Sequence, residues 1–156
     1  MLNMFSFISH LITLVVGFVI GIYMLPIVIQ PSQPSDAEIQ ALAASSQFKA
    51  DFVRDLPGSD FLHWGEGEVS INANSISLQG ELAPGPDYVL YLSTVYVDDR
   101  ASFNANRRHM VALGSVRNFE NFIVPITTDV NINDYNTVIV WCETFGAFIS
   151  SAQYQL

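Results

Sequence analysis

The chain holds one cysteine, Cys142, at the end of the apolar segment 138–142 (VIVWC). A lone thiol can act as a redox group, as a ligand for a metal or haem iron, or as a small core residue. The Cys-x-x-Cys and Cys-x-x-Cys-His patterns of thiol exchange and covalent haem attachment do not occur in the sequence. The neighbouring Glu143 is expected to raise the pKa of the thiol, which favours a packed, protonated cysteine over a reactive thiolate.

A second set of reactive side chains surrounds His63, which is followed by Glu66 and Glu68. These atoms could bind a metal, but the two glutamates lie on one face of a predicted strand, where surface exposure accounts for them. A nucleophilic pair of Cys142 with His63 or His109 would have to be assembled in space, and no motif supports one. We therefore expect no metal site and no catalytic residues, and the sequence favours a protein that is not an enzyme without deciding the question.

Basic side chains concentrate in residues 98–109, which the sequence predicts as a long loop. A solvated loop is one interpretation, and contact with an acidic partner or with anionic lipid headgroups is the other. Acidic residues outnumber basic ones by 15 to 6, so the chain carries a formal net charge of −9 and nucleic acid is excluded as a partner. The candidate contact residues are Arg100, Arg107, Arg108 and His109.

An apolar segment without Asp, Glu, Lys or Arg covers residues 5–29. As a helix it would be about 37 Å long, which is enough to cross a hydrocarbon core of about 30 Å. The segment exceeds the length of a secretory signal core, so it predicts a retained single-pass anchor after a tail of residues 1–4. Gly17 and Gly21 stand four residues apart, a spacing that lets a second membrane helix approach closely.

The linker that follows, residues 30–55, begins with Pro31 and Pro34, which end the helix. Ser35 and Glu38 have the spacing of a capping box. Loose helical spacing continues to Val53, so the sequence predicts a connector helix over residues 36–54.

Residues 56–156 contain repeated short apolar segments separated by turns. This pattern predicts an all-β fold, an antiparallel β-sandwich of seven or eight strands. In the segment 138–142, Val140 and Cys142 share one face while Ile139 and Trp141 share the other. Both faces are apolar, so we expect this strand to be central and buried.

Several of these residues carry a family resemblance. A Gly-Pro-Asp turn leads into a strand at residues 85–92 (GPDYVLYL), and Tyr135 precedes the strand that ends in Cys142. Over residues 56–156 the chain resembles the DM-thirteen family of electron-transfer domains. The resemblance implies a β-domain with a role in electron transfer, in which Cys142 works as a free thiol or as a ligand of a group such as haem.

Taken together, the sequence predicts a membrane protein with a cytoplasmic N-terminus and an extracytoplasmic β-domain, in the periplasm or an equivalent space. Our first hypothesis is a non-catalytic accessory subunit of a larger membrane complex, one that carries electrons. The alternative is a redox protein that works through Cys142. No cofactor is expected under the first hypothesis, and haem at Cys142 belongs to the second.

Overall fold

The computed structural model describes residues 3–127 and 129–156. Within these residues the chain forms three α-helices, α1 (Met4–Ile29), α2 (Asp36–Ala44) and α3 (Arg100–Asn106). The strands of its sheets are β1 (Phe48–Phe52), β2 (Gly65–Ile71), β3 (Ser75–Leu82), β4 (Tyr88–Ser93), β5 (Met110–Val116), β6 (Phe122–Pro125), β7 (Thr137–Cys142) and β8 (Ala147–Gln153). Two short 3-10 turns lie at Arg107–His109 and Ile132–Asp134.

The strands form two antiparallel sheets of four strands each, in the orders β1-β2-β3-β6 and β5-β4-β7-β8. The inward faces of both sheets contribute to one buried apolar cluster, to which Val69 and Leu78 belong on one side and Leu90 and Val140 on the other. This arrangement agrees with the predicted sandwich of about eight strands. Helices account for 31% of the chain, so the term all-β describes the sheets and not the whole molecule.

The predicted faces of the Cys142 strand are confirmed. Strand β7 lies between β4 and β8, and all six of its residues are buried. Val140 and Cys142 belong to the core between the sheets, whereas Ile139 and Trp141 belong to a second cluster on the outer face. Alternating side chains therefore give one strand two separate apolar environments.

Helix α1 is 26 residues long, with a mean hydropathy of 2.6 in its most apolar window. It is long and apolar enough to cross a membrane, and a signal sequence has the same properties. Its side chains are largely exposed, but Ile27 packs against the core of the domain. A hydrogen bond of 2.9 Å from Asn118 Nδ2 to the carbonyl of Pro31 also ties the segment after α1 to the domain.

The predicted connector helix over residues 36–54 is wrong in its second half. The Ser35–Glu38 capping box is present, but α2 ends at Ala44 and residues 48–52 form β1, which pairs with β2. Phe48 and Phe52 are four residues apart, a spacing that fits a helix and a strand equally well. Pairing with the edge of β2 satisfies the backbone of this segment, so the strand forms.

Residues 98–109, which were predicted to be an unstructured loop, contain α3. Asp99 caps this helix by accepting a hydrogen bond of 2.6 Å from the backbone N–H of Ser102, and the Ser102 hydroxyl accepts one of 3.2 Å from the N–H of Asp99. Phe103, on the inner side of α3, is fully buried. The capping box begins the helix and the burial of Phe103 attaches it to the sheet.

Candidate functional site

Cys142 ends β7 directly opposite Tyr88, the first residue of β4. Its side chain is only 2% exposed. The two parts of the sequence that carry the family resemblance, the Gly-Pro-Asp turn and the cysteine strand, are thus brought together as cross-strand neighbours.

The turn before β4 is held by its own residues and by the segment after Cys142. Tyr88 donates a hydrogen bond of 2.8 Å from its hydroxyl to the carbonyl of Ala83, so its ring covers Gly85. A Cβ atom at Gly85 would lie 2.4 Å from that ring, so this position requires glycine. The Asp87 carbonyl accepts the N–H of Glu143 at 2.9 Å, and its carboxylate accepts the hydroxyl of Thr144 at 3.1 Å.

Burial raises the pKa of the Cys142 thiol. Hydrogen bonds from the backbone N–H groups of Phe145, Asp87 and Thr144 act in the opposite direction, and the negative charge of Asp87 raises the pKa further. The direction agrees with the sequence analysis, but its cause is burial and Asp87. The Glu143 carboxylate is engaged elsewhere, with the Arg107 guanidinium at 2.9 Å and with the Tyr91 hydroxyl.

Cys142 forms part of the wall of a cavity of about 1160 Å³. One side of this cavity is the C-terminal half of α1, including Ile20 and Tyr23. The other side is the domain, which contributes residues of the 54–64 segment together with Tyr88 and Phe145. The cavity exceeds the usual range of about 300–1,000 Å³ for small-molecule sites, so volume does not prevent it from holding a ligand.

His63 lies in the same wall and is held by Asp60. The His63 Nδ1 atom is 2.8 Å from the Asp60 carboxylate, which also accepts the backbone N–H of Leu62 at 2.7 Å. Partial burial works to raise the pKa of Asp60, but these hydrogen bonds lower it overall. A histidine whose Nδ1 is oriented by a carboxylate leaves Nε2 for another partner.

The glutamates that the sequence placed beside His63 bind elsewhere. Glu66 pairs with Arg54 at 2.7 Å and Glu68 pairs with Lys49 at 2.6 Å. The Arg54 guanidinium also stacks 3.4 Å above the ring of Trp64, which faces the cavity. In the described residues, 3–127 and 129–156, no group of three or more His, Cys, Asp or Glu side chains is placed to hold a metal ion.

The four basic contact candidates have different immediate surroundings. Arg107 is engaged with Glu143 and Tyr91 at the outer face of β4 and β7. Arg108 and His109 precede Met110, which pairs with Ser93 at the end of the sheet about 17 Å from Cys142. Arg100 lies near Gly146, in the turn between β7 and β8. Their contact with a partner or with lipid stays a prediction.

Gly17 and Gly21 have open space beside them, because no other part of the described chain approaches within 4 Å of the position of a Cβ atom. The predicted helix-packing role of these glycines therefore also stays a prediction.

Sequence reasoning missed most of the residues that surround Cys142. No site role was predicted for Trp64, Tyr88 or Phe145, and Asp60 belongs to no motif. One available signal was the match of Gly85 and Asp87 to a family turn, which the structure places beside the thiol.

The comparison with known families matches residues 56–154 to the family described as Electron transfer DM13. Neither a curated protein nor a solved structure matches the chain. The family match covers more than half of the chain and includes both the Gly-Pro-Asp turn and the cysteine strand, so the chain belongs to the DM13 electron-transfer family.

Proposed function

We propose that the protein is a membrane-anchored electron-transfer protein that exchanges electrons with a redox group held in the cavity beside Cys142. The observation that carries this proposal is the position of the cavity. Its walls are the apolar helix α1 and the end of the DM13 domain where the family's turn and cysteine meet.

The anchor part of the proposal rests on the length and exposure of α1. Its 26 residues give a helix of about 39 Å, which exceeds a hydrocarbon core of about 30 Å by roughly two turns. Tyr23 then lies at the level of the headgroups, where aromatic side chains are favoured. In this arrangement the domain rests on the extracytoplasmic membrane surface, and the cavity reaches down to the bilayer.

Cys142 has the properties of a packed residue in the lining of the cavity and not those of a reactive thiol. It is buried, its pKa is raised, and no cationic side chain contributes to that shift. A covered, protonated sulfur is a poor fit to haem iron, which needs an accessible thiolate. We therefore assign electron exchange to a group that enters the cavity, with the Cys142 sulfur in contact with it.

A second candidate function is the accessory subunit of a larger membrane complex. The open space beside Gly17 and Gly21 favours it, because a neighbouring helix could pack there. This role is compatible with electron transfer, so one sample can test both.

The test is purification of the full-length protein in mild detergent, followed by an absorption spectrum, a redox titration and a subunit inventory. We expect a redox transition that survives in the Cys142→Ala variant with a shifted midpoint potential. Val140→Ala is the matched control, because Val140 lies on the same face of β7 but does not line the cavity.

The outcomes separate the candidates. Loss of the transition in Cys142→Ala but not in Val140→Ala would make Cys142 a ligand. A defined set of co-purifying subunits would add the accessory role. A sample with no redox transition, even after native membrane extract is added, would contradict the proposed function.

A further inference from the structure

The cavity between α1 and the DM13 domain combines an apolar side with a few polar atoms. Val19 and Ile20 of α1 form the apolar side. Phe61 and Leu62 stand beside them at the tip of the 59–63 turn, and Phe61 is 93% exposed. With α1 spanning the membrane as proposed, this side of the cavity faces the bilayer, so a molecule dissolved in the membrane can enter it without crossing water.

The polar atoms lie on the domain side. Ser59 is one of the lining residues, and its hydroxyl oxygen is buried and has no hydrogen-bond partner among the residues the structure describes. A buried hydroxyl without a partner is costly, so this atom is suited to donate to a ligand. His63 supplies a second group, because its Nδ1 is occupied by Asp60 and Nε2 bonds to no described residue.

The charges around the cavity disfavour an anionic head. Arg54 is the cationic side chain among the described residues of the lining, and it is already paired with Glu66 and stacked on Trp64. Asp55 and Asp60 add negative charge to the same wall. A phosphate headgroup would meet repulsion here, whereas an uncharged planar head would meet the ring of Trp64.

We propose that this cavity is a binding site for a membrane quinone. Its ring lies against Trp64, a ring carbonyl accepts the Ser59 hydroxyl, and the isoprenoid tail extends along Val19 and Ile20 into the bilayer. In the reduced form a quinol hydroxyl donates to His63 Nε2. The assignment rests on the proposed electron-transfer function, because a quinone is a redox group of the size and polarity that the cavity accepts.

The fluorescence of Trp64 can report on ligand binding at this site. It has two tryptophans, of which Trp64 lines the cavity and Trp141 is buried elsewhere. In a Trp141→Phe background, quinone-free phosphatidylcholine nanodiscs containing the full-length protein are titrated with a decyl-substituted 1,4-benzoquinone. We expect saturable quenching of the Trp64 fluorescence, beyond the linear quenching of a tryptophan octyl ester in empty nanodiscs.

Two pairs of variants locate the site. Ile20→Phe narrows the cavity and is expected to weaken binding by about fivefold or more, whereas Val15→Phe on another face of α1 leaves it unchanged. Ser59→Ala is expected to weaken binding about three- to tenfold through the lost hydrogen bond. Ser77→Ala is its control, because the Ser77 hydroxyl is also buried without a described partner but lies outside the cavity.

Linear quenching, or equal affinities across both pairs, would overturn the proposal. So would displacement of the quinone by decylbenzene at equal concentration, since the cavity would then bind any apolar chain. If Trp141→Phe does not fold, binding of the same quinone to the unmodified protein is measured by ultracentrifugation, with the same variants and the same outcomes.

The result is independent of the redox titration. Quinone binding without any redox transition in the protein sample would retain this inference and remove the proposed function. A redox transition without quinone binding would retain the proposed function and remove this inference.

Discussion

The cavity and the aromatic cluster beneath α3 are built from the same types of side chain, yet one is open and the other is closed. Beneath α3, Trp141 stacks on Phe103 at 3.8 Å between ring centroids, and Tyr91 meets Phe103 edge-on at 5.3 Å. Arg107 lies over both Phe103 and Tyr91 and pairs with Glu143. At the cavity, the Arg54 guanidinium stacks on Trp64 and pairs with Glu66. The opposite wall is helix α1, and the space between the two walls is open.

The difference shows that the degree of burial of these side chains, and not their residue types, decides what they do. Helix α3 seals the first set, so its aromatic rings contribute packing energy. The space between the second set and α1 is open in the described chain, so the parts of these side chains that line it are available to a ligand. The predictions that follow compare the two regions.

The largest expected contrast is between the two tryptophans. Trp141→Ala should lower the free energy of unfolding by about 3–5 kcal/mol, because it empties a closed cluster. Trp64→Ala should cost less than about 2 kcal/mol, since the ring is partly exposed at an open cavity. Urea denaturation followed by circular dichroism in detergent measures both, and equal costs would mean that the cavity is as tightly packed as the cluster.

Thiol reactivity gives the next contrast. Because Cys142 is buried and its pKa is raised, a charged thiol reagent should modify it at least about tenfold more slowly in the folded protein than in urea. A small apolar reagent should react faster than the charged one, since it can enter the cavity. Fast modification by both reagents at pH 7 would show that the thiol is open to solvent.

The alkaline limit of stability tests a tyrosine from each region. Burial raises the pKa of Tyr88, and burial together with Glu143 raises the pKa of Tyr91 to about 12. The pKa values of both tyrosines in the folded state lie above the value of about 10 in the unfolded state. Their protonated hydroxyls therefore stabilise the fold fully below pH 10, and this stabilisation is lost as the pH rises. Melting temperatures between pH 9 and pH 12 should therefore fall, and they should fall less in Tyr91→Phe.

Tyr135→Phe serves as the control for that pH series. A Tyr91→Phe profile that falls as steeply as the Tyr135→Phe profile would contradict the assigned role of Tyr91.

The smallest contrast is between the two arginines. Arg107→Met and Arg54→Met each break a partly exposed ion pair, so each should lower the melting temperature slightly, and less at high salt. Arg107→Met should cost more, because its partner Glu143 is less exposed than Glu66. Melting temperatures at low and high salt provide the measurement, and a larger loss for Arg54→Met would reverse the comparison.

The sequence by itself determined the features that depend on neighbouring residues. Alternating apolar side chains defined most strands and the two faces of β7, and the Ser35–Glu38 capping box placed the start of α2. The Gly-Pro-Asp turn and the cysteine strand identified the family, because both are local patterns.

Only the tertiary structure decided the features that depend on distant partners. The spacing of Phe48 and Phe52 fits the periodicity of a helix and that of a strand. Their strand forms because the edge of β2 is available to pair with it. The cavity has the same origin, since Ile20, His63 and Cys142 lie far apart in the chain and meet only when α1 packs beside the domain. Local patterns specify which face of an element is apolar, but the space left between two elements depends on how they pack, and no single segment encodes it.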